Sequence, residues 1–395
     1  MLQIDRTPPI AADRNALLFL GFRPFFLLAG IAAVLLIAIW LPLYYGALSL
    51  NPHFDAASWH GHEMLFGYAV AVIAGFLLTA VRNWTGQPVP TGAKLGGLAA
   101  IWIAGRLLVS LDLGQPAWLT AAVDSLFLPA VMIALAPALW RARKWRNMAF
   151  LVILGALTGA NLLMHQQALG EGSWGQQGLR AGLGLVILVI VVMGGRVIPF
   201  FTRNPLPGME PKLWPAVEIL AVALVVAVLA GELLSLPAPL LGGASLLAGA
   251  VQLLRLAGWY DRRIWRHPII WVLHLAYAWI GLGFLLKGAA LFGWLPTATP
   301  THAFTVGGIG LMTLGMMGRV ALGHTGRPLQ LPRATVAAII LLAAIVPLRV
   351  LAAIFPSAAA ALLGISALGW VLAFAAFVYC YGPILKQPRV DGRPG

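Results

Sequence analysis

Long runs of apolar residues, almost free of charge, constrain this chain more than any other feature. About 18 such residues in a row, coiled as a helix, span the hydrocarbon core of a bilayer. Of the 395 residues, 61% are hydrophobic and 10% are charged, whereas an ordinary soluble domain carries about 25% charged residues. Backbone polar groups inside lipid must be paired within the protein, which a helix achieves by itself. The apolar runs also lack the alternation of β-strands, so they predict transmembrane helices.

The runs predict one integral membrane domain over residues 1–395, an all-α polytopic bundle of about twelve transmembrane helices. The predicted spans are 17–43, 57–81, 93–111, 117–140, 146–168, 177–200, 212–233, 238–258, 267–292, 300–324, 332–354 and 357–383. The polar start of the chain leads directly into a full-length span, so we expect no cleavable signal peptide.

Basic residues concentrate in every second loop between the spans. The segment 141–146 carries four Lys and Arg residues, whereas the alternate loops 44–56, 112–116 and 355–357 carry none. The positive-inside rule places the basic loops, and with them both termini, in the cytoplasm. The basic residues behind the net charge of +14 are dispersed among these loops and do not form one patch. We therefore expect a lipid bilayer, and no nucleic acid, as partner.

Matched residues recur in the second, sixth and tenth spans. His62 recurs 240 residues later as His302, and the segment 195–197 recurs 123 residues later as 318–320. These matches predict parallel four-helix repeats in which the three spans surround a shared centre. Convergent use of Gly and Pro at helix ends would produce similar matches. The predicted repeats are 17–140, 141–258 and 259–383.

Histidines gather at one predicted surface of the membrane. The outer ends of the second, fifth and tenth spans carry His60, His62, His165 and His302. Polar groups at membrane depth usually face a site or a cavity, and neutral imidazole is a ligand for both haem iron and copper. Taken together these histidines predict a haem or copper site, although any one alone is typical of a membrane interface.

The remaining candidates for metal binding, His274 and His324, lie toward the cytoplasmic side. The chain has a single cysteine, Cys380. One cysteine excludes an intramolecular disulfide, an iron–sulfur cluster and a Cys-x-x-Cys-His site for covalent haem attachment.

The segment 59–64, with the sequence WHGHEM, is the most informative short stretch. Residues two apart on a helix do not share a face. Either His60 precedes the helix and joins His62 at one centre, or the two serve neighbouring centres such as a haem and a copper. Glu63 is the candidate catalytic residue, orienting an imidazole or carrying protons. It is also typical of a helix N-terminus.

Several arginines within the spans are candidates for binding a cofactor. Arg106 lies at the depth of Asp124 in the next span, so we expect an ion pair between them. Arg106, Arg180 and Arg349 also lie toward the outer side, where bidentate contacts to haem propionates are an alternative role.

Arg196, Arg319 and Arg327 lie near the cytoplasmic ends of the motif-bearing spans. They are candidates for binding an anion or the propionates of a second haem near His274, and snorkelling to the interface is the simpler alternative. Glu218, about one turn into the seventh span, is expected to have a partner there.

The chain resembles the NnrS family, bacterial membrane proteins associated with the response to nitric oxide. The resemblance rests on WHGHEMLFG at 59–67, GGRVIPFFT at 194–202, LHLAYAW at 273–279, GHTGRPL at 323–329 and on His302. It implies a haem- and copper-containing protein of the bacterial inner membrane that protects cells against nitrosative stress, typically alongside denitrification.

The leading hypothesis is a haem-dependent protein that handles nitric oxide. A noncovalent haem b would be held by His62 and His302, or by one of them paired with His60 or His165. Copper at the remaining histidines would allow nitric oxide reduction with electrons from quinol, with Glu63 delivering protons. Scavenging or sensing of nitric oxide needs no turnover.

Two other functions fit the sequence. Twelve spans built from repeats are typical of a transporter or channel for a small molecule or metal, although few carboxylates follow a central path. A haem-containing assembly factor for another reductase would bind haem without turnover.

Overall fold

The computed structural model describes residues 15–393, and within them twelve helices are long and apolar enough to cross a membrane. We label them α1 to α12 in chain order. Their bounds are Phe22–Tyr44, Ala56–Thr85, Gly92–Ser110, Ala117–Arg141, Trp145–Ala168, Gly175–Arg203, Pro215–Leu233, Ala238–Gly258, Pro268–Leu291, Thr299–His324, Arg333–Leu351 and Pro356–Lys386. The predicted all-α bundle of twelve spans is confirmed.

Most predicted boundaries lie within three residues of the observed ones, and the start of α1 is the main exception. The first span was predicted from residue 17, but residues 17–21 form turns and the helix begins at Phe22. Pro24 lies in its first turn, where its missing N–H breaks no helical hydrogen bond. Residues 17–20 are apolar, so a prediction from hydrophobicity alone included them in the span although they precede the helix.

Short connections make consecutive helices antiparallel, so the bundle has two distinct ends. We call the end at which the even-numbered helices begin the histidine end, because His60, His62 and His302 lie in the first turns of α2 and α10. His165 lies near the end of α5, which returns to the same end. The predicted cytoplasmic side of the termini stays a prediction.

Helices α2 and α10 form the centre of the bundle. Their apolar stretches are 83% buried, compared with 28% for α7. Lipid therefore surrounds helices such as α7, while α2 and α10 are enclosed by protein.

Both central helices contain a π-helical segment directly after a histidine. The segment Glu63–Ala69 follows His62, and the segment Ala303–Gly310 follows His302. The π-helix has wider turns than the α-helix and appears frequently at functional sites. The two segments begin 240 residues apart, which is the interval of the sequence repeat, and the repeat itself stays a prediction.

Gly178 sets how closely α6 packs against α5. A Cβ atom here would lie 2.5 Å from the carbonyl oxygen of Ala160 and 2.9 Å from the amide nitrogen of Met164. Both are backbone atoms of α5, so a rotamer change cannot relieve the contact.

We expect Gly178→Ala to force α5 and α6 apart and to lower the free energy of unfolding by about 1–3 kcal/mol, as overpacked cores do. Thermal unfolding of the purified protein in detergent measures the change. The control is Gly159→Ala, where nothing lies within 4 Å of the new Cβ atom and alanine favours the helix. Equal melting temperatures for the two variants would contradict the packing role.

Candidate functional site

The four histidines at the histidine end fall into two groups. His62 and His165 lie in a buried polar cluster between α2, α3, α4 and α5. His60 and His302 instead line a cavity together. His60 and His62 therefore point to different places, as expected for residues two apart on a helix.

The buried polar cluster is organised around the carboxylate of Asp124. We define the cluster as His62, Glu63, Arg106, Asp124, Asn161 and His165. The Asp124 Oδ2 atom lies 3.1 Å from His62 Nε2, 2.9 Å from His165 Nε2 and 2.7 Å from Asn161 Nδ2. A nearly inaccessible carboxylate thus makes contacts with two helices, α2 and α5, at once.

Arg106 completes the cluster from α3. Its guanidinium donates to Asp124 Oδ1 and lies 3.2 Å from Glu63 Oε1. The predicted ion pair between Arg106 and Asp124 is confirmed. Gly67 leaves room for the Arg106 guanidinium, since a Cβ atom at residue 67 would lie 2.7 Å from an Arg106 nitrogen. With both carboxylates ionised and both imidazoles neutral, the cluster carries one excess negative charge.

His62 has a carboxylate at each ring nitrogen. Its Nδ1 lies 3.1 Å from Glu63 Oε1 and its Nε2 lies 3.1 Å from Asp124 Oδ2. A neutral imidazole has one N–H, so it can donate to only one of the two carboxylates. The other contact requires an additional proton or a cation between nitrogen and oxygen. The geometry therefore favours a positive charge at this point.

His62, His165 and Asp124 lie close enough together to hold a metal ion. Ligand atoms of His62, Asp124 and His165 all lie within 4.8 Å of one another. Metal-binding histidines usually have their second nitrogen held by another group. Glu63 holds His62 in this way, and His53 Nε2 lies 3.0 Å from Nδ1 of His165.

His53 belongs to the loop that precedes α2 and is neutral at neutral pH. Burial and the neighbouring imidazoles of His165 and His62 lower the pKa of His53 to about 4. A neutral imidazole can accept a hydrogen bond from His165, which leaves His165 Nε2 free to coordinate a cation.

The second group lines a cavity of about 1050 Å³, part of which opens outward. His60 and His302 contribute imidazoles from α2 and α10, and no hydrogen bond to either ring forms within residues 15–393. The Nδ1 atoms of both rings are buried without a partner. The His60 ring stacks on Trp40, with 4.1 Å between the ring centres.

Arg349 lines the same cavity from α11. Across the part of the chain that the structure describes, no carboxylate lies within ion-pair distance of its guanidinium. Apart from Arg349 and the two imidazoles, the walls are mostly apolar. The cavity thus combines two imidazoles with one uncompensated positive charge.

The candidates at the opposite end have partners within the protein. His274 Nδ1 lies 3.2 Å from the carbonyl oxygen of Ile270, and its Nε2 lies 3.3 Å from that of Trp259. The His324 ring packs against Phe22, with 5.6 Å between ring centres. These contacts account for both side chains structurally, and metal binding by them stays a prediction.

The arginines predicted at that end pack on neighbouring side chains. Arg196 donates to Asn147, Arg319 stacks on Phe201 and Arg327 donates to Gln387. Their predicted role in binding a cofactor stays a prediction. Separately, the partner expected for Glu218 is Arg255.

Asn161 and Trp40 were not singled out by sequence reasoning. Asn161 precedes His165 by four residues, which places both on one face of α5. That spacing was available as a signal. The stacking of Trp40 on His60 depends on helix packing, and tryptophans near span ends usually mark only the interface.

We expect Asp124→Asn to destabilise the metal-free protein by roughly 3 kcal/mol, because Arg106 and two imidazoles lose their shared charge. Thermal unfolding after chelator treatment measures the effect, and exposed Glu171→Gln is the control. The double variant with Arg106→Gln should recover part of the loss, because the two residues interact. Fully additive effects would contradict the coupling.

A comparison with known proteins identifies the family. The chain matches the family described as NnrS protein over residues 16–389. Among curated proteins, none matched the sequence. The match includes all the helices and both histidine groups. This multi-pass membrane protein belongs to the NnrS family.

Proposed function

We propose that this protein binds haem b and copper at its histidine end and handles nitric oxide in the bacterial inner membrane, with both termini cytoplasmic. Membership of the NnrS family is consistent with a role in the nitric oxide response. The observation that carries the proposal is a pair of half-buried imidazoles on one cavity, His60 and His302, whose Nδ1 atoms are buried and have no hydrogen-bond partner among the described residues.

The residues of this cavity fit a noncovalently bound haem. A polar ring nitrogen at this depth without a partner is costly, and coordination of iron by the imidazole offsets that cost. The mostly apolar walls suit a porphyrin, and Arg349 suits a propionate. His60 and His302 would hold the iron. Of the histidine pairs considered from the sequence, this is the pair that the geometry favours.

Ferrous haem supplies reversible binding of nitric oxide when one coordination position is open or exchangeable. The chain contributes the surroundings of that position. Trp40 supports the His60 ring by stacking, and the apolar walls exclude water. Tyr68 is the one tyrosine among the lining residues, and its hydroxyl is hydrogen-bonded to Thr313.

The buried polar cluster fits a copper ion. Two imidazoles and a carboxylate are ligands that copper accepts, and the excess negative charge of the cluster favours a cation. His62, His165 and Asp124 would hold the ion, and Glu63 would orient His62. This assignment gives the two histidines of the WHGHEM segment two neighbouring centres.

A quinol-dependent nitric oxide reductase is the sharper form of the proposal. Two nitric oxide molecules, two electrons and two protons give nitrous oxide and water, and one quinol supplies both electrons and both protons. Glu63 is suited to hold a proton near the site, because its Oε2 atom is buried and has no hydrogen-bond partner.

We expect His60→Ala and His302→Ala to lose most of the bound haem, and His62→Ala to retain it, because only the first two line the cavity. Haem content per chain from the pyridine haemochrome spectrum measures this. His267→Ala, which removes an imidazole at the opposite end, is the control. Retention of haem by both cavity variants would show that the ligand assignment is wrong.

Loss of copper should follow the opposite pattern. His62→Ala and His165→Ala should lower copper per chain severalfold, whereas His302→Ala should not, since it lies outside the buried polar cluster. Elemental analysis after reconstitution with copper measures the content. Equal copper in all three variants and the parent would contradict this site.

The reductase form predicts anaerobic consumption of nitric oxide that depends on added quinol. Glu63→Gln should slow turnover about tenfold or more while haem and copper contents stay constant, in line with the loss of a proton-transferring group. Nitrous oxide production measures the rate. Stoichiometric nitric oxide binding without turnover would leave the scavenging or sensing form.

A further inference from the structure

A second cavity lies at the centre of the bundle, below the histidine cavity. It is a space of about 550 Å³, part of which is open to the outside, between α1, α2, α6 and α10. Its walls are formed by Phe26, Val72, Ile73, Phe76, Val189, Ile190, Met193, Gly194, Val197, Met312, Thr313 and Met316. We call it the axial cavity.

The walls of the axial cavity follow the intervals of the sequence repeat. Val72 and Met312 are 240 residues apart, and Val189 precedes Met312 by 123 residues. The next residues along the three helices, Ile73, Ile190 and Thr313, are related in the same way. Corresponding positions of α2, α6 and α10 therefore surround one space, as expected for a cavity on a common axis.

A hydrogen bond links the lining of the axial cavity to that of the histidine cavity. Tyr68 lines the histidine cavity, Thr313 lines the axial cavity, and their hydroxyl groups are hydrogen-bonded to each other. The Thr313 hydroxyl also lies 2.7 Å from the carbonyl oxygen of Ile309. Both polar groups at the partition are thus satisfied, and neither needs water.

The lining of the axial cavity determines what can occupy it. No charged side chain is among the lining residues, and its one side-chain hydroxyl, on Thr313, is already bonded. Hydrated ions and polar solutes would have to lose their water without compensation. Apolar cavities of this kind stay dry and accept small apolar molecules such as xenon.

The cavity also has an edge that is not fully enclosed. Phe76 and Val197 are the lining residues of α2 and α6 nearest the opposite end of the bundle, and both are partly exposed. A small molecule dissolved in the lipid can therefore approach the cavity from the side, between these two helices.

We propose that the axial cavity is the entry route and holding site for nitric oxide, which passes from the bilayer to the histidine cavity past Tyr68 and Thr313. This inference rests on the proposed function for the identity of the gas. Nitric oxide is small, uncharged and soluble in lipid, so it matches both the lining and the lateral opening.

The test fills the axial cavity without touching the histidine cavity. In haem-loaded protein, Val189→Phe should slow bimolecular binding of nitric oxide to ferrous haem about tenfold after flash photolysis, equivalent to about 1.4 kcal/mol of barrier. Val72→Phe on the facing helix α2 fills the same cavity and takes the place of Val189→Phe if that variant does not fold. An unchanged haem spectrum verifies that the ligands are intact.

The matched control is Val225→Phe. Val225 lines a separate cavity between α6, α7, α9 and α10, so the same enlargement there should leave the binding rate unchanged. Equal slowing by the control and by Val189→Phe would overturn the route, and so would a parental rate in both axial variants.

Xenon supplies a readout that does not depend on haem. In crystals pressurised with xenon, we expect a peak in the axial cavity of the parent protein that Val189→Phe abolishes. A parent without xenon at this position would overturn the inference even if haem binding is confirmed. Conversely, a chain that takes up no haem but binds xenon here would refute the proposed function and leave the cavity intact as a gas-binding site.

Discussion

The histidine end depends on one buried negative charge, the carboxylate of Asp124. A carboxylate at this depth is costly unless it is paired and fully hydrogen-bonded. Arg106 supplies the pairing charge, while His62, His165 and Asn161 supply the contacts. Because these partners come from α2, α3 and α5, the charge fixes the relative positions of three helices around α4. The imidazoles are held in place by the same contacts that would let them coordinate a cation.

Dividing the histidines between two places gives each group a different electrostatic environment. The buried polar cluster has one excess negative charge, whereas the cavity lined by His60 and His302 has the uncompensated guanidinium of Arg349. The first favours a metal ion and the second favours a cofactor with acidic groups. His60 and His62, only two positions apart on one helix, thus face opposite charge environments, because about 200° of helical rotation separates their side chains.

Much of this arrangement follows from the sequence, and the rest depends on helix rotation. The lengths of the apolar runs predicted twelve spans, because crossing lipid imposes a minimum length. The alternating direction of the spans was enough to predict that His60, His62, His165 and His302 lie at one end. The sequence left His60 with His302 as one of several possible combinations, and their position on one cavity depends on helix rotation around the π-helical segments after His62 and His302. Asn161 was missed because a single amide in an apolar span gives a weak signal, whereas the charges of Arg106 and Asp124 predicted their ion pair.

The apolar lining of the axial cavity has a consequence for energy conversion. Proton transfer across a membrane needs a chain of groups that can pass hydrogen bonds from one to the next. Among the lining residues of the axial cavity, Thr313 carries the one side-chain hydroxyl, and its partner is Tyr68. The lining of this cavity therefore offers protons no continuous path. Any protons consumed near the histidines would not arrive along this axis from the opposite face. If quinol is oxidised at the histidine face as well, the chemistry would move no charge across the bilayer and would not contribute to the membrane potential.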